Sequence, residues 1–544
     1  MIGDAARILN AVRDPKNLRR ALRYALRDRL RDGYYDHFEL EDAVANEDMI
    51  IVDLEEELKS PGSYQPKPSY AYFPPKNELC YRRMIYVPFK DLVVRYAFVV
   101  VVLELLDSDL SPRCFANRRA REEARETDFL ESFAEVSWPN FCKWQKECAS
   151  QAQFTTLLRT DISAFYDAVS HEYLVTTIAT QLAISPDAEV MKLFRTILRL
   201  PVISHSHLTG KPRDPEIMHQ GLAIGNNTEG ALANLYLTSI DEDMDSMQSI
   251  AFGRYVDDMR IFATNREEAK RAMLVLQERL LTKGLNLNGS KTKIAEHAKI
   301  EDLRSKAYES YDYLVEEDEP EQHQGLAVTD HPFDEFNRHF EVGQAFEKDE
   351  DAKDFCHFLG RVLPLTDRQP RHIDMLKAIL TQWHGSSKHA SWRLVETIIH
   401  AECPASARAH ATKTLVDCLA DQSVSTYAKY RLLHYLVRKR RYQNGQGTFR
   451  HLDKLHADAR QQIRQLLPMF LKEQAFEINL IALYAMQVFG SSHAELAAAV
   501  HAHSPKPVAV PIRNALLLAA KPAPSVQSFD LAAVAENEDQ EESY

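Results

Sequence analysis

The chain has 544 residues, 45% hydrophobic and 27% charged, which excludes a disordered or fibrous protein and predicts a folded body of more than one domain. A formal net charge of -13 excludes a protein that coats nucleic acid over its whole surface, because neutralising phosphates needs clustered Lys and Arg. The seven cysteines, Cys80, Cys114, Cys142, Cys148, Cys356, Cys403 and Cys418, have no C-x-x-C spacing, so zinc sites are excluded and the thiols are expected to be reduced and buried.

Residues 1–10 lack the charged-then-apolar layout of a secretory signal, so a cytoplasmic protein is expected. Between positions 7 and 31, Arg7, Arg13, Lys16, Arg19, Arg20, Arg23, Arg27, Arg29 and Arg31 meet only Asp14 and Asp28, at helical spacing. Such a helix can lie along a nucleic-acid backbone, or it can be a solvated face paired with acidic neighbours. The helical pattern runs to about Leu58, and residues 1–64 read as a basic helical region. Pro61, Pro66, Pro68, Pro74 and Pro75 then predict an extended connector. From 65 to 300, helical stretches alternate with short β-type runs, the pattern of an α+β body. Within it, the apolar run 96–106 is too short to cross a membrane and reads as a buried helix or strand.

Residues 301–368 read as an insertion and a thumb-like helical region, with the acidic segment 316–324 as a surface loop. From 369 to 530 successive helical segments (373–382, 392–400, 405–419, 426–439, 457–470 and 475–488) predict an all-α, solenoid-like domain with no strand. Residues 531–544 form an acidic tail. The RKRR cluster at 438–441 reads as a solvated helix end or a nucleic-acid contact. His372, His400 and His434 read as packing or helix-surface residues. Arg450 and His456 share an R-x5-H spacing, the alternative of a ribonuclease site of HEPN type.

Three separated segments carry chemistry. Residues 157–171, LLRTDISAFYDAVSH, place Asp161 where a β-type run ends and a helix-like stretch begins. Residues 253–261, GRYVDDMRI, set Asp257 and Asp258 between β-prone arms. Strand side chains alternate faces, so both carboxylates approach one site only if a tight turn re-aims one of them, and a hairpin with both at its tip is expected. Adjacent like charges call for a cation, and Mg²⁺ accepts carboxylates together with phosphates. Phosphoryl transfer by two ions about 4 Å apart has this requirement. Asp161 and Asp257 would bridge the ions, and Asp258 would complete the site or act from behind it. Residues 219–237, HQGLAIGNNTEGALANLYL, form a Gly- and Asn-rich loop running into a helix, where small residues let the backbone approach a base pair closely and Gln220 can hydrogen-bond.

Asp161 with Phe165-Tyr166, Gln220-Gly221 with Ala233-Asn234-Leu235-Tyr236, and Tyr255-Val256-Asp257-Asp258 resemble motifs A, B and C of reverse transcriptases, in order. Pro75-Lys76, Arg83, Pro88, Asp91 and Phe115-Ala116-Asn117-Arg118 resemble the finger motifs of the bacterial enzymes, and 285–293 (LNLNGSKTK) resembles the palm segment ending in a triphosphate-facing lysine. The resemblance spans about 65–300 and implies a right-hand palm and fingers fold that adds dNTPs to a primer. It implies two Mg²⁺ ions, with Mn²⁺ as a substitute, at Asp161, Ile162, Asp257 and Asp258. It further implies Tyr166 beneath the sugar beside Phe165, Gln220 and Gly221 near the base pair, Lys76, Arg83 and Arg118 on the triphosphate, Lys291 on pyrophosphate and Tyr255 under the primer end. The segment reads QGLAIGNNTEG where intron-type enzymes have Q-G-x-x-x-S-P, which counts against intron mobility and ordinary templating. A long helical extension without mobile-element domains is similar to the defence-associated (abortive-infection and unknown-group) reverse transcriptases. That likeness implies antiphage defence, an RNA template or noncoding RNA, a DNA product, and an oligomer or partner defence protein held by the helical domain. Synthesis without a template or from a protein primer, and a non-catalytic RNA-binding palm, stand as alternatives.

Overall fold

The computed structural model describes residues 2–521 except 32–33, 35, 61, 77–78, 121–128, 133–135, 205–214, 297–348, 362, 442–447, 474 and 505–509. Most of the expected insertion, including 316–324, and the acidic tail therefore lie outside the described residues.

The N-terminal region is four helices: α1 (Ala5–Val12), α2 (Pro15–Arg31), α3 (His37–Ala45) and α4 (Glu47–Glu57). Asp4 and Asp36 cap α1 and α3 by accepting backbone N–H groups that have no partner inside the helix. Next come strands β1 (Ser69–Tyr72) and β2 (Met84–Tyr86) and helix α5 (Phe89–Leu106). The apolar run left open between helix and strand is the body of α5, which is buried nearly all round because α2 packs along it and α1, α9 and α10 surround it. No helix among the described residues is long and apolar enough to cross a membrane.

Helix α6 (Trp138–Ala149) leads into β3 (Thr156–Ser163), α7 (Phe165–Ala168), α8 (His171–Gln181), α9 (Glu189–Leu198), β4 (Pro201–Ser204), β5 (Glu216–Ile217) and α10 (Asn227–Asp245). The hairpin β6 (Ile250–Tyr255) and β7 (Asp258–Ala263), helix α11 (Arg266–Thr282) and strands β8 (Asn286–Leu287) and β9 (Lys293–Glu296) complete this part. Two sheets result. One has the order β2-β1-β4-β5, with β1 and β4 parallel; the other has the order β6-β7-β3-β8, with β9 also on β3 and every pairing antiparallel. Helices α10 and α11 pack beneath the second sheet, and α6 lies against β6 with Trp144 on Phe262.

The C-terminal part holds α12 (Asp349–Arg361), α13 (Pro370–Gln382), α14 (Ser387–Ile399), α15 (Ala405–Ala420), α16 (Thr426–Val437), α17 (Ala457–Phe470), α18 (Phe476–Val488), α19 (His493–His503) and α20 (Val510–Ala519). The expected helices sit within a few residues of their sequence bounds, and neighbours pack in overlapping pairs, α13 on α14 and α15, α14 on α16, α16 on α18. One expectation is corrected: the region is not free of strands. Residues 439–441 of the RKRR cluster form β10 (Lys439–Arg441), paired antiparallel with β11 (Thr448–Arg450), so the helix stops at Val437 instead of continuing through the cluster. A second correction concerns the thiols, since Cys80 is exposed and the other six are buried.

The two ends of the described chain meet. Tyr34 is buried with its ring 4.9 Å from Tyr72 and 5.1 Å from Tyr86 of the first sheet, 5.3 Å from Tyr430 of α16 and 5.7 Å from Phe476 of α18. His37 stacks on Tyr484 at 4.3 Å, and the Tyr484 hydroxyl donates to Glu41 at 2.6 Å. Aromatic burial of this kind joins the N-terminal helices, the first sheet and the C-terminal helices into one core.

Asp91, in the first turn of α5, accepts from the Tyr64 hydroxyl at 2.8 Å and the Lys67 N–H at 3.0 Å, yet burial pushes its carboxyl up to about 6. A folded value above the unfolded one of about 3.9 means that its proton-linked stability is complete below about pH 4 and is lost as pH rises through about 6. Relative to Asp91→Asn, the wild-type unfolding free energy should therefore fall by about 2 kcal/mol between pH 4 and pH 7. Denaturant titrations of both proteins at the two pH values check this, and an unchanged difference would refute it.

Candidate active site

Strand β3 runs through Asp161, which is 7% exposed, and continues to Ser163, two residues beyond the end expected from sequence. Across the ladder Asp161 faces Asp258, while Tyr255 pairs with Asp258 in the neighbouring hairpin. The two residues of the turn are thus Val256 and Asp257. Val256 has φ of +56°, a conformation costly for a β-branched side chain and kept only where the surroundings dictate it. The ladder pairing of Asp161 with Asp258 sets the adjoining Asp257 of the turn beside Asp161, close enough for the Asp161 charge to act on its carboxyl. Burial, then the Asp161 charge, raises Asp257 above the ordinary carboxylate range, as two carboxyls sharing one place must be.

Asp258 differs from the expectation of a paired tip. It is the first residue of β7, and its carboxylate is gripped by both terminal nitrogens of the buried Arg260, two residues along on the same strand face. Among the described residues no group of three or more His, Cys, Asp or Glu side chains comes together as a metal cluster; the converging pair is Asp161 and Asp257. Ile162 has a buried side chain, which leaves only its backbone for any such contact.

The loop between β8 and β9 supplies positive charge. Asn288 N–H donates to the Asp161 carbonyl at 2.7 Å, and this anchors the loop so that Lys291 Nζ lies 2.6 Å from Asp161 Oδ2. Two pressed-together carboxylates with a single half-exposed ammonium beside them form an oxygen donor set short of positive charge, and that fits a hard divalent cation completed by substrate phosphates.

The Gln220-Gly221 turn docks on the short helix α7. Gly221 N–H donates to the Val169 carbonyl and Leu222 N–H to the Tyr166 carbonyl, both at 2.8 Å. Gly221 has φ of +86°, and a Cβ there would meet the Asp167 and Tyr166 carbonyl oxygens at 3.1 and 3.2 Å, so only glycine closes this turn without strain. Phe165 is buried beneath, Tyr166 is half-buried with its ring 5.4 Å from Phe165, and Gln220 is exposed. In the departing segment 226–229, Glu229 is buried and accepts from Arg95 Nη1 at 2.7 Å, an ion pair where the intron-type pattern has a serine and a proline.

Arg254, inside the GRYVDD segment, drew no role from the sequence, yet it is fully buried at the crossing of three segments. Its Nε and Nη2 donate to the two Asp241 oxygens at 2.7 Å each, and Nη1 donates to Asn234 Oδ1 at 2.8 Å. Asn234 Nδ2 in turn donates to the Ala116 carbonyl at 2.6 Å. Tyr255 beside it packs edge-on to Trp138 at 5.0 Å, with its hydroxyl 3.1 Å from Ser137 Oγ. A fixed partner spacing across three elements was the only signal for Arg254, and that signal is not local.

The expected cations separate. Arg118 does not face the cleft cluster: its guanidinium is taken up by the Asp107 carboxylate at 3.1 and 3.2 Å and by the Asp107, Ser111 and Cys114 carbonyls, so it braces the end of α5. Lys76 and Arg83 are exposed near the first sheet. Arg82, which the sequence reading passed over, is the neighbour whose charge reaches Tyr166. In the C-terminal part, Arg450 donates to the Val437 carbonyl at 3.0 Å and the Tyr484 hydroxyl at 3.3 Å while His456 is exposed at the start of α17, and no contact joins the two among the described residues.

Removing one partner of a buried ion pair strands the other charge, at a cost of about 3–5 kcal/mol. Asp241→Ala should lower the unfolding free energy by that amount, read by denaturant titration, and a loss under about 1 kcal/mol would show that the Arg254 cluster does not hold the hairpin.

A family model described as reverse transcriptase (RNA-dependent DNA polymerase) matches residues 83–360, a little over half of the chain. Among solved structures, apo telomerase from Candida tropicalis truncated from the C-terminal domain is similar at 13% identity and a TM-score of 0.32, over 43% of this chain and 51% of that one. The present chain thus spans about half the length of that relative. No match is found among the curated proteins. With its Asp161–Asp257 pair set between an antiparallel sheet and the Gln220-Gly221 turn, and with the family match over residues 83–360, the chain belongs to the reverse transcriptase family.

Proposed function

We propose that this protein is an RNA-directed DNA polymerase that extends a primer with dNTPs at the Asp161–Asp257 cleft and acts in bacterial defence against phages. The observation that carries the polymerase reading is the pairing of β3 with the hairpin, which sets Asp161 against Asp258 and beside Asp257 of the turn, residues far apart in sequence brought to one point. In the reaction the primer 3′-hydroxyl gives up its proton to solvent as its oxygen bonds to the α-phosphorus, the bond from that phosphorus to the β-phosphate bridge breaks, and pyrophosphate leaves. Asp161 and Asp257, with the Ile162 backbone, would hold Mg²⁺ or Mn²⁺, which when bound stabilises charge on the attacking and leaving oxygens. Lys291 beside Asp161 offsets charge on the triphosphate, and Arg82, Lys76 and Arg83 offer further cations from the first sheet. Tyr166 over Phe165 walls the sugar pocket against a 2′-hydroxyl. Tyr255, held by Trp138 and Ser137, supports the primer end. Asp258 keeps Arg260 neutralised behind the site.

On this reading residues 65–300 are fingers and palm, and the helices from 369 onward are a solenoid-like extension. The defence role rests on the likeness of the motifs to defence-associated enzymes and on that long extension docked onto α3. Synthesis without a template is a second reading, favoured by the Glu229–Arg95 pair in the segment that departs from the intron-type pattern; sequencing of the DNA product separates the two, since a defined sequence requires a template.

Asp161→Asn and Asp257→Asn should each lower labelled dNTP incorporation at least a hundredfold, on the scale of losing one electrostatic stabiliser, with unfolding midpoints preserved. Incorporation within a few-fold of wild type in both variants would sink the polymerase reading. Loss of phage protection in cells carrying Asp257→Asn, where the wild type protects, tests the defence role separately.

A further inference from the structure

The cations of α2 divide by helix face. Arg29 is buried with its guanidinium over the Tyr86 ring at 4.2 Å, committed to the core. Lys16, Arg19, Arg20 and Arg23 stand on the opposite face, at i, i+3, i+4 and i+7, and line one wall of a cavity of about 610 Å³. The facing wall is Val100 and Glu104 of α5 with Arg119, and the floor is Tyr24 and Phe129, whose rings lie 5.3 Å apart. None of these residues belongs to the Asp161–Asp257 cleft.

Charge balance at this cavity runs opposite to that of the whole chain, which carries -13. Glu104, the one lining carboxylate among the described residues, is shared between Arg20 at 2.7 Å and Arg119 at 3.1 Å. Arg19 reaches out to Asp48 at 2.6 Å. Lys16 and Arg23, both exposed, have no ion-pair partner among the described residues. Among the described residues the five cations face three carboxylates, Glu104 in the cavity and Asp48 and Glu47 at its edge beside Arg19, and a bound anion relieves the remaining repulsion. The row is also extended. Lys16 to Arg23 covers about 10 Å of helix axis, or about three charges at the ~3.4 Å axial spacing of one nucleic-acid strand, which is longer than a single phosphate needs.

We propose that this cavity binds the phosphodiester backbone of a single nucleic-acid strand and holds it on the N-terminal helices, outside the catalytic cleft. RNA and DNA strands present the same phosphate chemistry, and the test separates them. Binding is independent of whether the palm is catalytically active.

Full-length wild type and the double variant Lys16→Glu/Arg23→Glu are titrated by fluorescence anisotropy with labelled single strands of about 20 nucleotides, one RNA and one DNA of matching sequence, over a range of salt. The proposal expects affinity to fall at least about tenfold for one or both strands, and the slope of log affinity against log salt to shrink by about 1.4, from ~0.7 per phosphate contact. A fall confined to RNA assigns the cavity to the template, and one confined to DNA assigns it to the product. Glu104→Gln, which removes the lining carboxylate, should tighten binding. Unchanged affinity and slope for both strands in the double variant, or weaker binding by Glu104→Gln, would overturn the proposal.

Discussion

The hairpin that carries Asp257 stands on one buried guanidinium. Arg254 is inaccessible to solvent and makes two bonds to Asp241 and two to Asn234, both from α10, while its backbone N–H donates to the Arg113 carbonyl at 3.0 Å and its carbonyl accepts from the Phe115 N–H at 3.1 Å. A charge so deeply buried is tolerated only with a full set of partners. That demand fixes how strand β6, helix α10 and the 113–116 segment meet. The strained turn at Val256 follows, since the strand end it must reverse cannot slide.

Upon that frame the cleft accumulates negative charge that the protein itself compensates incompletely. Asp258 is matched by Arg260, whereas Asp161 and Asp257 lie together with Lys291 as the one cation paired to them among the described residues. The difference between neighbours in sequence is geometric. Asp258 lies in the strand, where the residue two along shares its face; Asp257 lies in the turn and is aimed across to β3. The Gly221 turn closes the adjacent wall, and its positive φ and lack of a Cβ let the backbone touch the α7 carbonyls.

The periphery uses different physics. Aromatic packing around Tyr34 and the Tyr484–Glu41 contact tie the C-terminal helices to α3 and to the first sheet, so the extension is part of the same core that supports the N-terminal helices. The basic face of α2 is left outside that packing, and its counter-charges are few. In a chain of net charge -13, this row is a local concentration of positive charge separate from the cations beside the cleft.

Much of this was readable from the chain. The C-terminal helices were legible because a 3.6-residue apolar period is local and repeats, and Asp161, Asp257 and the Gln220-Gly221 turn stood out only in combination, through the order and spacing of motifs that resemble those of reverse transcriptases. Other features were decided by partners distant in sequence. Arg118 turned to Asp107, Asp258 was captured by Arg260, Arg254 became the hub with Asp241, and the basic run 439–441 became a strand because 448–450 lay beside it to pair. By itself the sequence determined which residue types were present for the chemistry and where most helices run. Only the tertiary structure decided which charges neutralise each other and which remain available, because an ion pair depends on distances of a few ångströms between segments whose separation along the chain carries no record of it.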